Sequence, residues 1–143
     1  MSNILLIDDE KLPMDYYIRA FKMRSCSVKQ YLDPDSVLDY VKNKKPHLDA
    51  IVLDIMMLPG QKYIDEDTNN GLKTGILLYK DLRAFYPKTP VIFLTNVSNP
   101  DIPTLPNETQ ATLVVAQKID YPPFELVDLV ESMIADVKNL EKA

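Results

Sequence analysis

Ala50-Ile51-Val52-Leu53 is an unbroken apolar run that stops at a carboxylate, Asp54. A short run of this kind, with no alternation of polar and apolar residues, reads as a strand buried on both faces. An acid at its carboxyl end lies where open α/β sheets place their chemistry. Asn3-Ile4-Leu5-Leu6-Ile7 repeats the pattern and ends in Asp8-Asp9. If the two strands lie parallel and adjacent, three carboxylates converge at one edge of the sheet.

The remaining chain alternates in type. Leu12 to about Met23 places Met14, Tyr17, Ile18 and Phe21 on one helical face, with Pro13 tolerated in the first turn. Val28 to Tyr31 reads as a short strand. Asp33-Pro34 is a cap followed by proline at the first helical position, and the helix it opens carries Val37, Leu38 and Val41 to near Asn43. Beyond the central strand, a helix from Gly75 to Phe85 is followed by the apolar strand Val91–Leu94, which ends in Thr95. Asn96 to Gln110 contains Pro100, Pro103 and Pro106, and an interior proline costs a helix roughly 3 kcal/mol. A loop with at most one short turn after Pro106 is expected there. Leu113–Ala116 is the last strand, leading to Lys118, and Pro123 to about Leu140 is a long amphipathic helix. Such alternation predicts an α/β fold: a five-stranded parallel sheet with helices on both faces and right-handed crossovers.

At 143 residues with 46% hydrophobic side chains, the chain fits one domain, residues 1–143, with a single core. A net charge of −5 with dispersed basic residues disfavours direct nucleic-acid binding. A lone cysteine, Cys26, excludes an internal disulfide and reads as a small apolar residue. The only histidine, His47, falls in a loop without partners for a metal site or triad. With neither a signal segment nor a spanning apolar stretch, a cytoplasmic protein without a membrane partner is expected.

Four strands end in polar groups: Asp8-Asp9, Asp54, Thr95 and Lys118. Crowded acids stay ionised together only if a cation shares their site, and an all-oxygen set suits Mg²⁺. A metal and a lysine beside a carboxylate make a site for a phosphoryl group, with the carboxylate attacking phosphorus to form an acyl phosphate.

Leu6-Ile7-Asp8-Asp9-Glu10, Leu53-Asp54-Ile55-Met56-Met57, Leu94-Thr95 and Lys118 together resemble the receiver domain of bacterial two-component response regulators, over nearly the whole chain. The resemblance implies a flavodoxin-like, doubly wound fold. It implies that Asp54 accepts a phosphoryl group from a histidine kinase or phosphotransfer protein. Mg²⁺ would be bound directly by Asp9 and Asp54, with Asp8 acting through water and the Met56 backbone carbonyl as a further ligand. Lys118 would pair with Asp54 and then with the phosphate, and Thr95 would swing to a phosphate oxygen and report it. Such a domain is no enzyme in the usual sense, catalysing only its own phosphoryl transfer and autodephosphorylation. Its signal passes to a downstream protein or to an output domain outside this sequence.

The sequence departs from that family in four places. The glycine that opens the third helix is usually about eight residues after the acceptor. Here Thr74-Gly75 fills the role later, which makes Leu58 to Lys73 an insertion beside the site: a lid or docking loop, or a solvated surface insertion. Its Asp65, Asp67 and Asn69 hint at a calcium loop, but Asn70 and Ile76 stand where that loop needs Gly and Glu. The prolines after Thr95 make the family's fourth helix short or missing, and Val115 occupies the position of the usual switching aromatic. Ile119 replaces the proline that commonly follows the lysine in a cis bond, a form costing a non-proline residue roughly 3 kcal/mol. A phosphorylation-independent binding module is the alternative reading. A phosphohydrolase of the haloacid-dehalogenase type would need a second Asp two residues after its nucleophile, where Asp8 is followed by Glu10 and Asp54 by Met56, and it would need a cap domain that this length does not hold.

Overall fold

The computed structural model describes residues 1–66, 71, 73–103 and 105–142. Its elements are β1 (Asn3–Ile7), α1 (Lys11–Met23), β2 (Ser27–Tyr31), α2 (Pro34–Lys44), β3 (Ala50–Leu53), α3 (Thr74–Phe85), β4 (Val91–Thr95), β5 (Leu113–Gln117) and α4 (Pro123–Lys142). The strands form one parallel sheet in the order β2-β1-β3-β4-β5.

Successive residues of a strand face opposite sides, and here both sides are covered. Ile4, Leu6, Ala50, Val52, Ile92 and Leu94 pack with Met14, Tyr17 and Phe21 of α1 and Leu126, Val127 and Val130 of α4. Leu5, Ile7, Ile51, Leu53, Val91 and Phe93 pack with Val37, Leu38 and Val41 of α2 and Leu78, Tyr79 and Leu82 of α3. This two-sided burial is why the central strands are apolar without a break. The edge strand β2, with Lys29 and Gln30, is less buried.

Local chemistry sets the helix starts. The Asp33 carboxylate accepts the Ser36 N–H at 2.8 Å, capping α2, with Pro34 at its first position. At α3 the constraint is steric: a Cβ on Gly75 would stand 2.0 Å from the Asp54 carbonyl oxygen and 2.6 Å from Ile55 Cα. Gly75 N–H also donates to the Ile55 carbonyl at 2.7 Å, and the Thr74 hydroxyl donates to the Met57 carbonyl. Thr74-Gly75 therefore opens the third helix directly against the end of β3, as the sequence indicates.

Among the described residues no helix lies between β4 and β5. A buried ion pair organises that segment. Arg83 Nη2 lies 2.8 Å from Glu108 Oε1 and also donates to the Thr112 carbonyl, while Nη1 donates to the carbonyls of Tyr86 and Thr89. The Tyr79 hydroxyl donates to the same Glu108 carboxylate. Burial opposes the charge on Glu108, but bonds from Arg83, Tyr79 and Thr112 outweigh it and hold the carboxyl below its usual range. Polar side chains do here what a helix would otherwise do.

Residues 61–63 of the insertion fold back on α2 and α3. The Asp35 carboxylate accepts the N–H groups of Gln61 and Lys62 at 2.7 and 2.9 Å, and buried Tyr63 donates to Asp81. Asp67, Asn69 and Asn70 of the calcium-loop pattern lie outside the described residues. No helix among the described residues is long and apolar enough to cross a membrane.

Candidate functional site

The sheet order turns around at β1: the chain moves outward to β2 and returns to β3 on the other side. Ligands in open α/β sheets bind at the carboxyl ends of strands at such a reversal. Ile7 is paired with Leu53, and the Asp54 N–H donates to the Ile7 carbonyl at 3.0 Å, which makes Asp8 and Asp54 neighbours. Asp9 and Glu10 follow on the same loop. One oxygen from each of Asp8, Asp9, Glu10 and Asp54 lies within 4.8 Å of the others, with Asp8 and Asp54 buried and Asp9 and Glu10 exposed. A cavity of about 360 Å³ opens over these acids, walled by Asp9, Glu10, Asp54, Met56 and Thr95. Leu58 and Gly71 also line it, so the insertion borders the site.

Lys118 arrives from the opposite edge of the sheet. Thr95 is paired with Gln117, and the Lys118 N–H donates to the Thr95 carbonyl at 2.9 Å. Its ammonium lies 3.1 Å from Asp8 Oδ2, 3.4 Å from Asp54 Oδ2 and 3.7 Å from Glu10 Oε1. The pairing with Asp54 expected from the sequence is present, and a closer one with Asp8 accompanies it. Asp54 Oδ1 accepts the Ile55 N–H at 2.7 Å, and Asp8 Oδ1 accepts the Glu10 N–H at 2.9 Å.

Burial is the main force on Asp8 and Asp54. It pushes Asp8 up to about 6 despite the bond from Glu10 N–H, with the Asp54 charge adding to the rise. Asp54 is also raised, by burial first, against the pull of Lys118. Burial alone would lower Lys118, but the Asp54 and Asp8 carboxylates outweigh it and its pKa is raised. The result is a pair of desolvated acids held by one cation. All donors are oxygens and a single ammonium leaves the acid excess uncompensated, so the set fits a hard divalent cation such as Mg²⁺.

Thr95 is fully buried, and its hydroxyl oxygen accepts the Val97 N–H at 3.0 Å. The Val97 carbonyl is in turn held by Gln117 Nε2 at 2.9 Å. Val115 is 39% exposed on β5. None of the described peptide bonds is cis. Glu10, Gln117 and Tyr17, whose hydroxyl bonds to the loop after Lys118, are the neighbours of the site that sequence reasoning left unassigned. Glu10 had a signal in its adjacency to Asp8-Asp9, whereas the other two depend on long-range pairing.

The family model of the response regulator receiver domain matches residues 4–120. The chain belongs to the response regulator receiver family. Solved structures agree on the fold of this receiver. It is similar to the N-terminal domain of a response regulator/sensory box/GGDEF 3-domain protein from Carboxydothermus hydrogenoformans, at 17% identity and TM-score 0.69 over 96% of this chain and 98% of that one. It is similar to a CheY-like receiver domain protein from Methanospirillum hungatei, at 15% identity and TM-score 0.70 over 97% and 98% of the two chains. A third likeness is the response regulator TrrA from Thermotoga maritima, solved in complex with Mg(2+)-BeF, at 18% identity and TM-score 0.63 over 93% and 99%. No curated protein sequence matches this receiver.

Proposed function

We propose that this receiver accepts a phosphoryl group on Asp54 from the phosphohistidine of a histidine kinase or phosphotransfer protein, in a Mg²⁺-dependent step, and that the modified form favours a second conformation. The observation that carries this reading is the Lys118 ammonium, 3.1 Å from Asp8 and 3.4 Å from Asp54, beside an open acid-lined cavity. A carboxylate oxygen of Asp54 attacks phosphorus. The new P–O bond forms as the bond to the donor breaks, and the donor atom leaves with its electron pair. Lys118, already held against the acids, moves its charge onto a phosphoryl oxygen at little reorganisation cost. Asp8, Asp9, Asp54 and the Met56 backbone carbonyl would hold Mg²⁺, with Asp8 acting through water. When bound, the ion supplies charge that relieves repulsion among the acids and offsets that of the phosphoryl oxygens.

Thr95 gives the readout. A Thr95 hydroxyl drawn to a phosphate oxygen pulls on the bond it accepts from the Val97 N–H, which disturbs the segment that replaces a helix after β4. Attack of water on phosphorus returns Asp54 and releases inorganic phosphate, so the domain's chemistry is confined to itself. The signal then passes to a downstream protein or an attached output domain, in the cytoplasm, without direct nucleic-acid contact.

The helix-free segment and Val115 favour a second reading, a protein-binding module that works without phosphorylation. Borohydride reduction separates the two. After incubation with Mg²⁺ and acetyl phosphate, an aspartyl phosphate at position 54 is reduced to homoserine and found by peptide mapping. Unmodified Asp54 in a protein shown to bind Mg²⁺ supports the second reading.

A further inference from the structure

Lys118 stands just beyond β5, and the sheet order puts β4 and β3 between it and β1. Three inter-strand spacings amount to roughly 14 Å, yet the ammonium lies 3.1 Å from Asp8 at the end of β1. A reach this long makes the contact sensitive to where the backbone after β5 is held. On the β4 side it is fixed by the Lys118 N–H bond to the Thr95 carbonyl. A turn follows, in which the N–H groups of Asp120 and Tyr121 both donate to the Gln117 carbonyl. Ile119 in that turn is 90% exposed and contributes no anchor.

At the far end of the loop the Tyr121 side chain packs against the core cluster, and its backbone is tied by a hydrogen bond from α1, the helix that follows β1. Tyr17 is buried in the cluster between α1, α4 and the sheet, and its hydroxyl donates to the Tyr121 carbonyl at 2.8 Å. The ring is fixed by packing, so the bond runs from a rigid post to the far end of the loop that carries Lys118. The same hydroxyl lies within electrostatic reach of Lys118 and Asp8. Resting on the phosphoacceptor reading above, we infer that Tyr17 is a positioning residue for the reaction: through the Tyr121 carbonyl it holds the 118–122 loop so that Lys118 reaches the acids of β1 and β3. Tyr17 itself touches neither the acids nor the phosphoryl group.

Tyr17→Phe removes the hydroxyl and keeps the ring. The expected result is a phosphorylation rate from acetyl phosphate and Mg²⁺ about five- to tenfold lower, with faster amide hydrogen exchange at Asp120 and Tyr121 and unchanged exchange in the middle of α1. In a Lys118→Ala background the same change should slow the reaction no further, since there is then no ammonium to position. Phe21→Leu, a core change on the same helix, should lower stability while leaving the rate within about twofold. A Tyr17→Phe rate equal to the parent's, or an equal slowing with and without Lys118, overturns the inference. If the parent takes up no phosphoryl group, the phosphoacceptor reading fails separately. The exchange data then decide: unchanged protection at Asp120 and Tyr121 refutes the hold on the loop, and lost protection upholds it.

Discussion

Gly75, in the first turn of α3, lies so close to Asp54 that a Cβ at that position would stand 2.0 Å from the Asp54 carbonyl oxygen. The obstacle is backbone on both sides, so neither a rotamer change nor a flexible neighbour can relieve it. Gly75→Ala should therefore push α3 away from the end of β3, at a cost of about 1–3 kcal/mol. Urea unfolding measures the loss. The same displacement carries Asp54 with it, so Mg²⁺ affinity should fall as well.

The Arg83–Glu108 pair carries the segment between β4 and β5. Both side chains are nearly inaccessible, at 7% and 5% exposure. Removing one partner leaves a buried charge without compensation, a loss of about 3–5 kcal/mol expected for Arg83→Ala or Glu108→Ala alone. Removing both should cost clearly less than the sum. A double-mutant cycle by urea unfolding checks this, and strict additivity would contradict a direct pairing.

Asp8 gives the site a pH dependence with a definite sign. Its pKa rises from 3.8 to about 6 on folding, so the folded protein holds this proton more tightly than the unfolded chain. Without metal, the contribution of Asp8 to stability is greatest below the unfolded value and declines as pH rises through about 6. Asp8→Asn removes that decline. Its melting temperature relative to the parent should increase from pH 4 to pH 7 in Mg²⁺-free buffer. Mg²⁺ binding competes with the proton, so the parent's affinity, followed by calorimetry, should weaken by up to about tenfold per pH unit below that pKa.

The insertion is tied down by Asp35, whose carboxylate accepts the N–H groups of Gln61 and Lys62. Asp35→Ala should free residues 58–66 locally, costing no more than about 1–2 kcal/mol overall. Limited proteolysis should cut the variant there first, while the amides of β1 and β3 keep their protection. Because Leu58 lines the acid cavity, the rate of phosphoryl uptake should shift with the loosened loop.

How much of this was legible in the sequence follows from the distance over which each feature is determined. Ala50 to Asp54 carries both its burial and its chemistry within five residues, so strand and acid could be read together. The prolines after Thr95 likewise announce the lost helix locally. What replaces it does not: Arg83 and Glu108 are 25 residues apart, and nothing near either names the other. The tie from Tyr17 to Tyr121 spans 104 residues. Tyr17 was visible only as an apolar position on a helical face, since periodicity reports which side a residue faces and not the bond its hydroxyl makes. Lys118 could be placed at a strand end, whereas its closer approach to Asp8 than to Asp54 depends on how the loop crosses the sheet.

Intact mass spectrometry after incubation with Mg²⁺ and acetyl phosphate, run on the parent and on Asp54→Asn, tests directly whether Asp54 is the phosphoacceptor. Phosphoryl transfer to Asp54 predicts the gain of one phosphoryl group in the parent, none in the variant, and none in the parent when Mg²⁺ is chelated. A parent that binds Mg²⁺ and gains no mass would contradict it, as would an Asp54→Asn variant labelled as fully as the parent.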